Sequence, residues 1–171
     1  MYAQAKQYLL EKLKEAGLKS KPHTTRKALE RSQDSHVGAV LFERESFTRN
    51  GSKKYYTDQT GAQKKRRKVF DRSLSFTVVI GDYTDDAVET MLESFLSGLD
   101  RGITVAGNYI PIEVEEADWV DDDDSILKAK VAVQVTVRFE GGIYRDTGIG
   151  TISKVEIESV ESSRKEPTDG E

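Results

Sequence analysis

Residues 127–139 read Leu-Lys-Ala-Lys-Val-Ala-Val-Gln-Val-Thr-Val-Arg-Phe, and this stretch decides the fold. Every second residue from Leu127 to Phe139 is apolar, and most of the residues between them are Lys, Arg, Gln or Thr. A period of two places the apolar side chains on one face of a β-strand and the polar ones on the other. Residues 73–80 repeat the pattern. The sequence therefore predicts a sheet with one buried face and one face towards water.

Two other segments have the spacing of three and four residues between apolar positions that is typical of amphipathic helices. The first covers residues 2–16, and Gly17 follows it as an expected C-terminal cap. The second follows Thr84, which can cap its N-terminus, and carries apolar residues from Val88 to Leu99. Together these elements predict an α+β fold in which a mainly antiparallel sheet of about four to six strands packs on two helices, with a long hairpin arm.

The length of 171 residues and the hydrophobic content of 36% fit a single domain. We expect that domain to span residues 1–160 and the polar residues 161–171 to form a disordered tail. The chain has no cysteine, which excludes disulfides, thiolate metal sites and cysteine nucleophiles. No apolar run reaches the roughly 20 residues that cross a bilayer, so no membrane partner is expected.

Charge is segregated into two stretches of opposite sign. Residues 49–72 contain nine Lys and Arg against two Asp, whereas residues 113–124 contain eight carboxylates and no Lys or Arg. The basic stretch includes the turn dipeptide Asn50-Gly51, so residues 48–70 are expected to form a long hairpin arm or a flexible loop. Its candidate contact residues are Arg49, Lys53, Lys54, Lys64, Lys65, Arg66, Arg67 and Lys68.

The basic arm allows three interpretations: contact with acid on a neighbouring subunit, contact with nucleic-acid phosphates, or simple solvation. Tyr55 and Tyr56 lie among the cations and could stack on bases, which suits the second interpretation. The first interpretation has a partner in the same chain, because one face of a subunit can meet a different face of the next. We expect residues 64–68 to pair in this way with residues 121–124 of a neighbour.

The acidic stretch is expected to form a turn that contacts another subunit, with candidate residues Asp118, Trp119, Asp121, Asp122, Asp123 and Asp124. Trp119 is either a core anchor for this turn or an interface residue, and the core anchor is the prediction. A divalent-metal hydrolase that uses the aspartates is an alternative, since hard cations take carboxylate oxygens. The segment 125–127 lacks the ligand spacing and the glycine of a calcium loop, and the two histidines are isolated. We therefore expect no metal site, no cofactor and no catalytic residues.

The order of these elements has a counterpart in a known family. A leading helix ends near Gly17, a hairpin with a long arm follows, then the helix from Val88 to Leu99, and then a closing segment through Asp118-Trp119 and residues 131–144. In this order and in local sequence, residues 1–146 resemble the tail terminator, or tail completion, proteins of tailed phages and the similar neck proteins of phage-derived tails.

The resemblance implies a non-enzymatic structural protein that forms a hexameric ring, caps the tail tube and joins it to the head. Its implied partners are further copies of itself, the tail tube protein, a head or neck connector protein, and DNA passing through the lumen. The implied location is the tail or neck of a virion, after assembly in the host cytoplasm. Another neck, connector or tail component is the alternative within this class. A nucleic-acid-binding module that uses the basic arm is the alternative from a different class.

Overall fold

The computed structural model describes residues 1–32, 34–121 and 131–150. The predicted disordered tail at residues 161–171 lies outside this range, as do Asp122, Asp123 and Asp124. The described part contains the helices α1 (Tyr2–Glu15), α2 (Arg26–Glu30) and α3 (Asp85–Gly98), and the strands β1 (Val37–Arg49), β2 (Lys53–Thr57), β3 (Gln63–Asp82), β4 (Gly102–Val105), β5 (Asn108–Asp121) and β6 (Val131–Gly148). None of the helices in the described residues has the length and apolar composition of a membrane span.

The strands form one six-stranded sheet with the order β1-β3-β6-β5-β4, and β2 pairs with β3 beyond the end of β1. All five strand pairs are antiparallel. The longest pairing joins β3 to β6, from Lys64 opposite Gly148 to Asp82 opposite Val131. The predicted fold class is confirmed: the protein has an α+β fold with an antiparallel sheet and a long hairpin arm.

The main core lies between one face of the sheet and the helices α1 and α3. Phe76 of β3 and Phe139 of β6 are fully buried, and their rings meet edge to face with centroids 5.9 Å apart. Leu9 and Leu13 of α1 and Phe95 of α3 cover them and are also fully buried. Burial of a side chain of this size stabilises the fold by about 1.5–3 kcal/mol. The alternation of apolar and polar residues in 73–80 reflects this core, which lies on one face of the sheet.

The first half of β1 is buried on both faces. A second, smaller cluster on the other side of the sheet joins Leu29 of the short helix α2 to Val37, Ala39 and Leu41 of β1 and Val79 of β3. Val40, between these residues, belongs to the main core. Thr25 caps α2 by accepting a hydrogen bond from the backbone N–H of Ala28. Because α2 covers this end of the sheet, β1 begins as an apolar run before it becomes polar in the arm.

The strand β6 runs through Gly141-Gly142, although a pair of glycines is typical of a turn. It continues to Gly148 because β3 provides a pairing partner along the whole arm. The glycines serve close packing instead of a turn. A Cβ atom on Gly142 would lie 2.4 Å from Cε of Lys68, and one on Gly141 would lie 2.6 Å from Sδ of Met1. Side chains from β3 and from the chain start therefore lie against the bare backbone.

The short hairpin of β4 and β5 is held by another close approach. Its turn lies at Ala106-Gly107, both with positive φ, as the tight hairpin turn requires. At the other end Gly102 faces β5, and a Cβ atom there would lie 2.5 Å from the carbonyl oxygen of Ile110. Beyond Pro111, β5 leaves β4 and pairs with β6 from Ile112 onwards.

We predict that Gly102→Ala destabilises the protein by about 1–3 kcal/mol, because backbone must move to admit the methyl group. Gly98→Ala at the end of α3 is the matched control, since nothing lies within 4 Å of its Cβ position. It is expected to be neutral or to stabilise by up to about 1 kcal/mol. Urea unfolding of both variants measures the difference, and equal midpoints would contradict the close approach.

Candidate subunit and nucleic-acid interface

The basic stretch is a three-stranded hairpin arm and not a flexible loop. The arm consists of β2, residues 63–68 of β3 and residues 144–148 of β6. Residues directly opposite each other in an antiparallel sheet share a face. Lys53, Arg67 and Arg145 lie in one such row across the three strands. The register therefore divides the arm into an open face (Lys53, Tyr55, Lys65, Arg67, Arg145, Thr147) and a paired face (Lys54, Tyr56, Lys64, Arg66, Asp146).

Arg66 is the centre of the paired face. Its Nε and Nη2 donate to the two carboxylate oxygens of Asp146 at 2.8 and 2.7 Å, and Nη1 donates to Oδ1 of Asn108 at 3.1 Å. The guanidinium also lies 5.1 Å from the ring centroid of Tyr56 and 5.7 Å from that of Tyr144. The bond from Arg66 lowers the pKa of Asp146 to about 2 and raises the pKa of Arg66. All three nitrogens of this guanidinium therefore donate to groups of the same subunit.

Two lysines of the arm are also neutralised by carboxylates of the same chain. Nζ of Lys64 lies 2.7 Å from Oδ2 of Asp58, and Nζ of Lys68 lies 2.6 Å from Oδ1 of Asp71. The bond from Lys64, followed by one from Thr60, lowers the pKa of Asp58. The bond from Lys68 likewise lowers the pKa of Asp71. Of the predicted contact run at residues 64–68, the even-numbered members therefore already hold carboxylates of their own chain.

The open face has no such compensation. Among the described residues, no carboxylate lies within ion-pair distance of Lys53, Lys65, Arg67 or Arg145. Tyr55 lies among them with 63% of its surface exposed. Like charges directly opposite each other destabilise a sheet, so this row of cations has an energetic cost in the isolated subunit. A surface kept at such a cost is suited to an acidic partner.

The open face continues towards the body of the sheet through Arg49. Its guanidinium stacks on the ring of Phe70 at 4.6 Å, and Phe70 meets Phe47 edge to face at 6.3 Å. Phe47 is half exposed. Sequence reasoning missed Arg145, because only the register of β6 beyond Gly142 brings it beside Arg67. The alternation of residues past the two glycines was the one signal that could have found it.

Asp118 and Trp119 lie in β5 and not in the expected acidic turn. They pair with Gln134 and Val133 of β6, and Asp121 is the last residue of the strand. Trp119 is 47% exposed, so the prediction of a core anchor is wrong. The reason is its edge position: β4 pairs only with residues 108–111, and no strand among the described residues lies beside Trp119 on the side away from β6.

The acidic strand keeps negative charge after its internal pairing. Arg138 of β6 binds Glu113 and Glu115 of β5, the latter at 2.7 Å, and its Nε lies 3.0 Å from Glu140. The hydrogen bond to Glu113, together with the nearby charges of Glu115 and Glu140, raises the pKa of Arg138. One cation thus serves three carboxylates. In the described part of the chain Glu116 and Asp118, both exposed, make no ion pair.

The histidine environment is structural. Nε2 of His36 accepts a hydrogen bond from the backbone N–H of Lys19 at 3.1 Å, so Nδ1 carries the proton and donates to Asp82 at 2.8 Å. This pair ties the chain after α1 to the end of β3. His23 forms a bridge to Ala39 through its backbone. Within residues 1–32, 34–121 and 131–150, no group of three or more His, Asp or Glu could hold a metal ion.

Comparisons with known proteins give a distant structural likeness. No family model matches the chain, and no curated protein matches it. Among solved structures, the chain is similar to the sheath/tube terminator of an extracellular contractile injection system, called PVC, in its extended state. The identity is 12%, the TM-score is 0.44, and the alignment covers 98% of this chain and 63% of that one.

Proposed function

We propose that this chain is a structural subunit of a phage or phage-like tail, specifically the terminator that caps the tail tube and joins it to the head. It acts through assembly into a ring, expected to be a hexamer, and not as an enzyme. The class comes from the sequence resemblance. The observation that carries the proposal is the cationic open face of the arm, which lacks an acidic partner in the described part of its own subunit.

The matching acidic surface lies towards the opposite edge of the same sheet, on β5. The arm strand β2 is on the β1 side of β3, whereas β5 is on the far side of β6. The two charged surfaces are therefore separated by the width of the sheet and are available to different neighbours. A subunit with two different complementary surfaces makes heterologous contacts, which close into a ring when the rotation between subunits permits. Opposite charge also speeds the encounter and fixes its orientation.

The proposed partners follow from this role. Further copies of the chain complete the ring, the tail tube protein binds one of its ends, and a head or neck connector protein binds the other. The proposed location is the tail or neck of the particle, after assembly in the host cytoplasm. Another neck or tail component built on the same ring is the alternative within the class.

We predict that the parent protein forms rings of defined subunit number, measured by native mass spectrometry and negative-stain microscopy. Lys65→Glu with Arg67→Glu, or Glu116→Lys with Asp118→Lys, should each weaken assembly about tenfold or more, because like charges then meet at the contact. All four changes together should restore assembly.

Lys21→Glu with Lys27→Glu is the control for this swap, since both lysines are exposed and lie near the start of β1, outside the arm and β5. It should leave assembly unchanged. A parent that stays monomeric at low salt would overturn the proposal, and a four-fold variant no better than either pair would overturn the charge contact.

A second candidate function is nucleic-acid binding by the open face. Tyr55 is favoured for this role because it is 63% exposed among four uncompensated cations. Cations on neighbouring strands can follow a phosphate backbone while an aromatic ring stacks on a base. Within a ring, the same face could meet nucleic acid in the lumen.

We predict that the open face, if it binds nucleic acid, gives a salt-dependent affinity for a labelled single-stranded oligonucleotide. Changing Lys53, Lys65, Arg67 and Arg145 to Gln should lower the slope of log K against log salt by about 3. The pair Lys64→Gln and Lys68→Gln, whose charges are already neutralised, should change it far less. No binding by the parent at low salt would remove this candidate.

A further inference from the structure

We infer that neighbouring subunits join by strand addition, with the open edge of β2 in one copy hydrogen-bonded to the open edge of β5 in the next. This inference rests on the proposed ring and specifies the contact that builds it. The sheet would then continue from subunit to subunit.

The first open edge belongs to β5. Its partner β4 ends opposite Pro111, and the last contact on that side is the bond from the N–H of Ile112 to the carbonyl of Arg101 at 3.0 Å. From there to Asp121, β5 pairs with β6 on one side and with no described strand on the other. Alternate backbone N–H and C=O groups along this segment therefore point outwards, ready to pair with another strand.

The second open edge belongs to β2. This strand pairs with β3 alone, and in the described part of the chain nothing pairs with its other side. It contains Lys53, Lys54, Tyr55, Tyr56 and Thr57, so its composition is basic and aromatic. Among the described residues, the outer sides of β4 and of β1 beyond the His23 bridge are also unpaired, but they lack a strong charge of one sign. The edges of β2 and β5 carry opposite charge: β2 is cationic and β5 is anionic.

Charge makes these edges selective. Two copies of β5 placed side by side would set Glu116 and Asp118 against the same acids, and two copies of β2 would set Lys53 and Lys54 against lysines. Like charges across a strand pair are destabilising, whereas opposite charges are favourable. The charges that protect each edge from its own copy therefore admit the other edge. Such a contact is heterologous, as a ring requires.

Exposed apolar groups support the same arrangement. Val114 and Trp119 of β5 are 45% and 47% exposed, and both lie on the face that carries Val137 and Val133 of the core. Tyr55 of β2 is 63% exposed. Strand addition would place aromatic groups of β2 beside this apolar row, a favourable cross-strand pair that removes apolar surface from water.

A cross-linking experiment tests the contact directly, because the chain contains no cysteine of its own. Two single-cysteine variants, Tyr55→Cys in β2 and Ala117→Cys in β5, are mixed under assembly conditions and treated with a short bismaleimide. The mixture should give a covalent dimer in at least tenfold excess over either variant alone. A second mixture with Thr57→Cys in place of Tyr55→Cys tests a contact in which β2 is shifted by two residues along β5. Ser94→Cys, exposed on α3, is the control and should give no dimer with either strand.

Hydrogen exchange provides a second readout on the unmodified protein. The outward-pointing amides of residues 53–57 and 113–121, which alternate with those bonded to β3 and β6, should exchange quickly in dissociated subunits at high salt and at least tenfold more slowly in the ring. Rings without the mixed cross-link and without this protection would overturn strand addition and leave the proposed function intact. A protein that never forms rings would overturn both. Protection of β5 in the dissociated subunit would show that a segment of the same chain occupies the edge, and would also overturn the inference.

Discussion

The long antiparallel pairing of β3 with β6 is the constraint on which the rest of the structure depends. This pairing sets Phe76 opposite Val137 in the core and, beyond a one-residue register shift between Lys68 and Phe70, Arg67 opposite Arg145 in the arm. Because side chains alternate between faces, a shift by one residue would move the core set to the solvent side. The burial of Phe76 and Phe139 against α1 and α3, together with the register shift between Lys68 and Phe70, therefore fixes which cations of the arm share a face.

The arm depends on this register more than on packing of its own. Near its base, Phe47 and Phe70 meet, but towards its tip the contacts are the backbone ladder, the ion pairs of the paired face and the stacking of Arg66 on Tyr56. Exposed ion pairs of this kind are weakened by salt. Across the open face, opposed cations work against the ladder. An acidic neighbour would convert this repulsion into attraction, so that assembly and ordering of the arm would be coupled.

The parts of the fold that sequence predicts best are those whose burial is one-sided. Alternation in residues 73–80 and the helical spacing after Thr84 both reflect a face against the core, and both elements are confirmed. The run Lys64 to Lys68 has no such alternation of residue type. Its division into paired and open residues depends on Asp58, Asp71 and Asp146, which only the folded sheet brings to one face. The acidic stretch has a turn-like composition, yet pairing with β6 makes its first part a strand, an instance of tertiary context overriding propensity.

On one face of the arm Lys64, Arg66 and Lys68 are neutralised by carboxylates of the same chain, and we propose that the open face is covered in the assembly. Quantitative amine labelling of lysines, read by mass spectrometry, tests it most directly. Lys53 and Lys65 should react quickly in dissociated subunits and become protected in the ring, whereas Lys64 and Lys68 should react slowly in both states. Equal reactivity of Lys64, Lys65 and Lys68 in the dissociated protein would rule out the division of the arm into two faces, and no protection of Lys53 and Lys65 on assembly would rule out a covered open face.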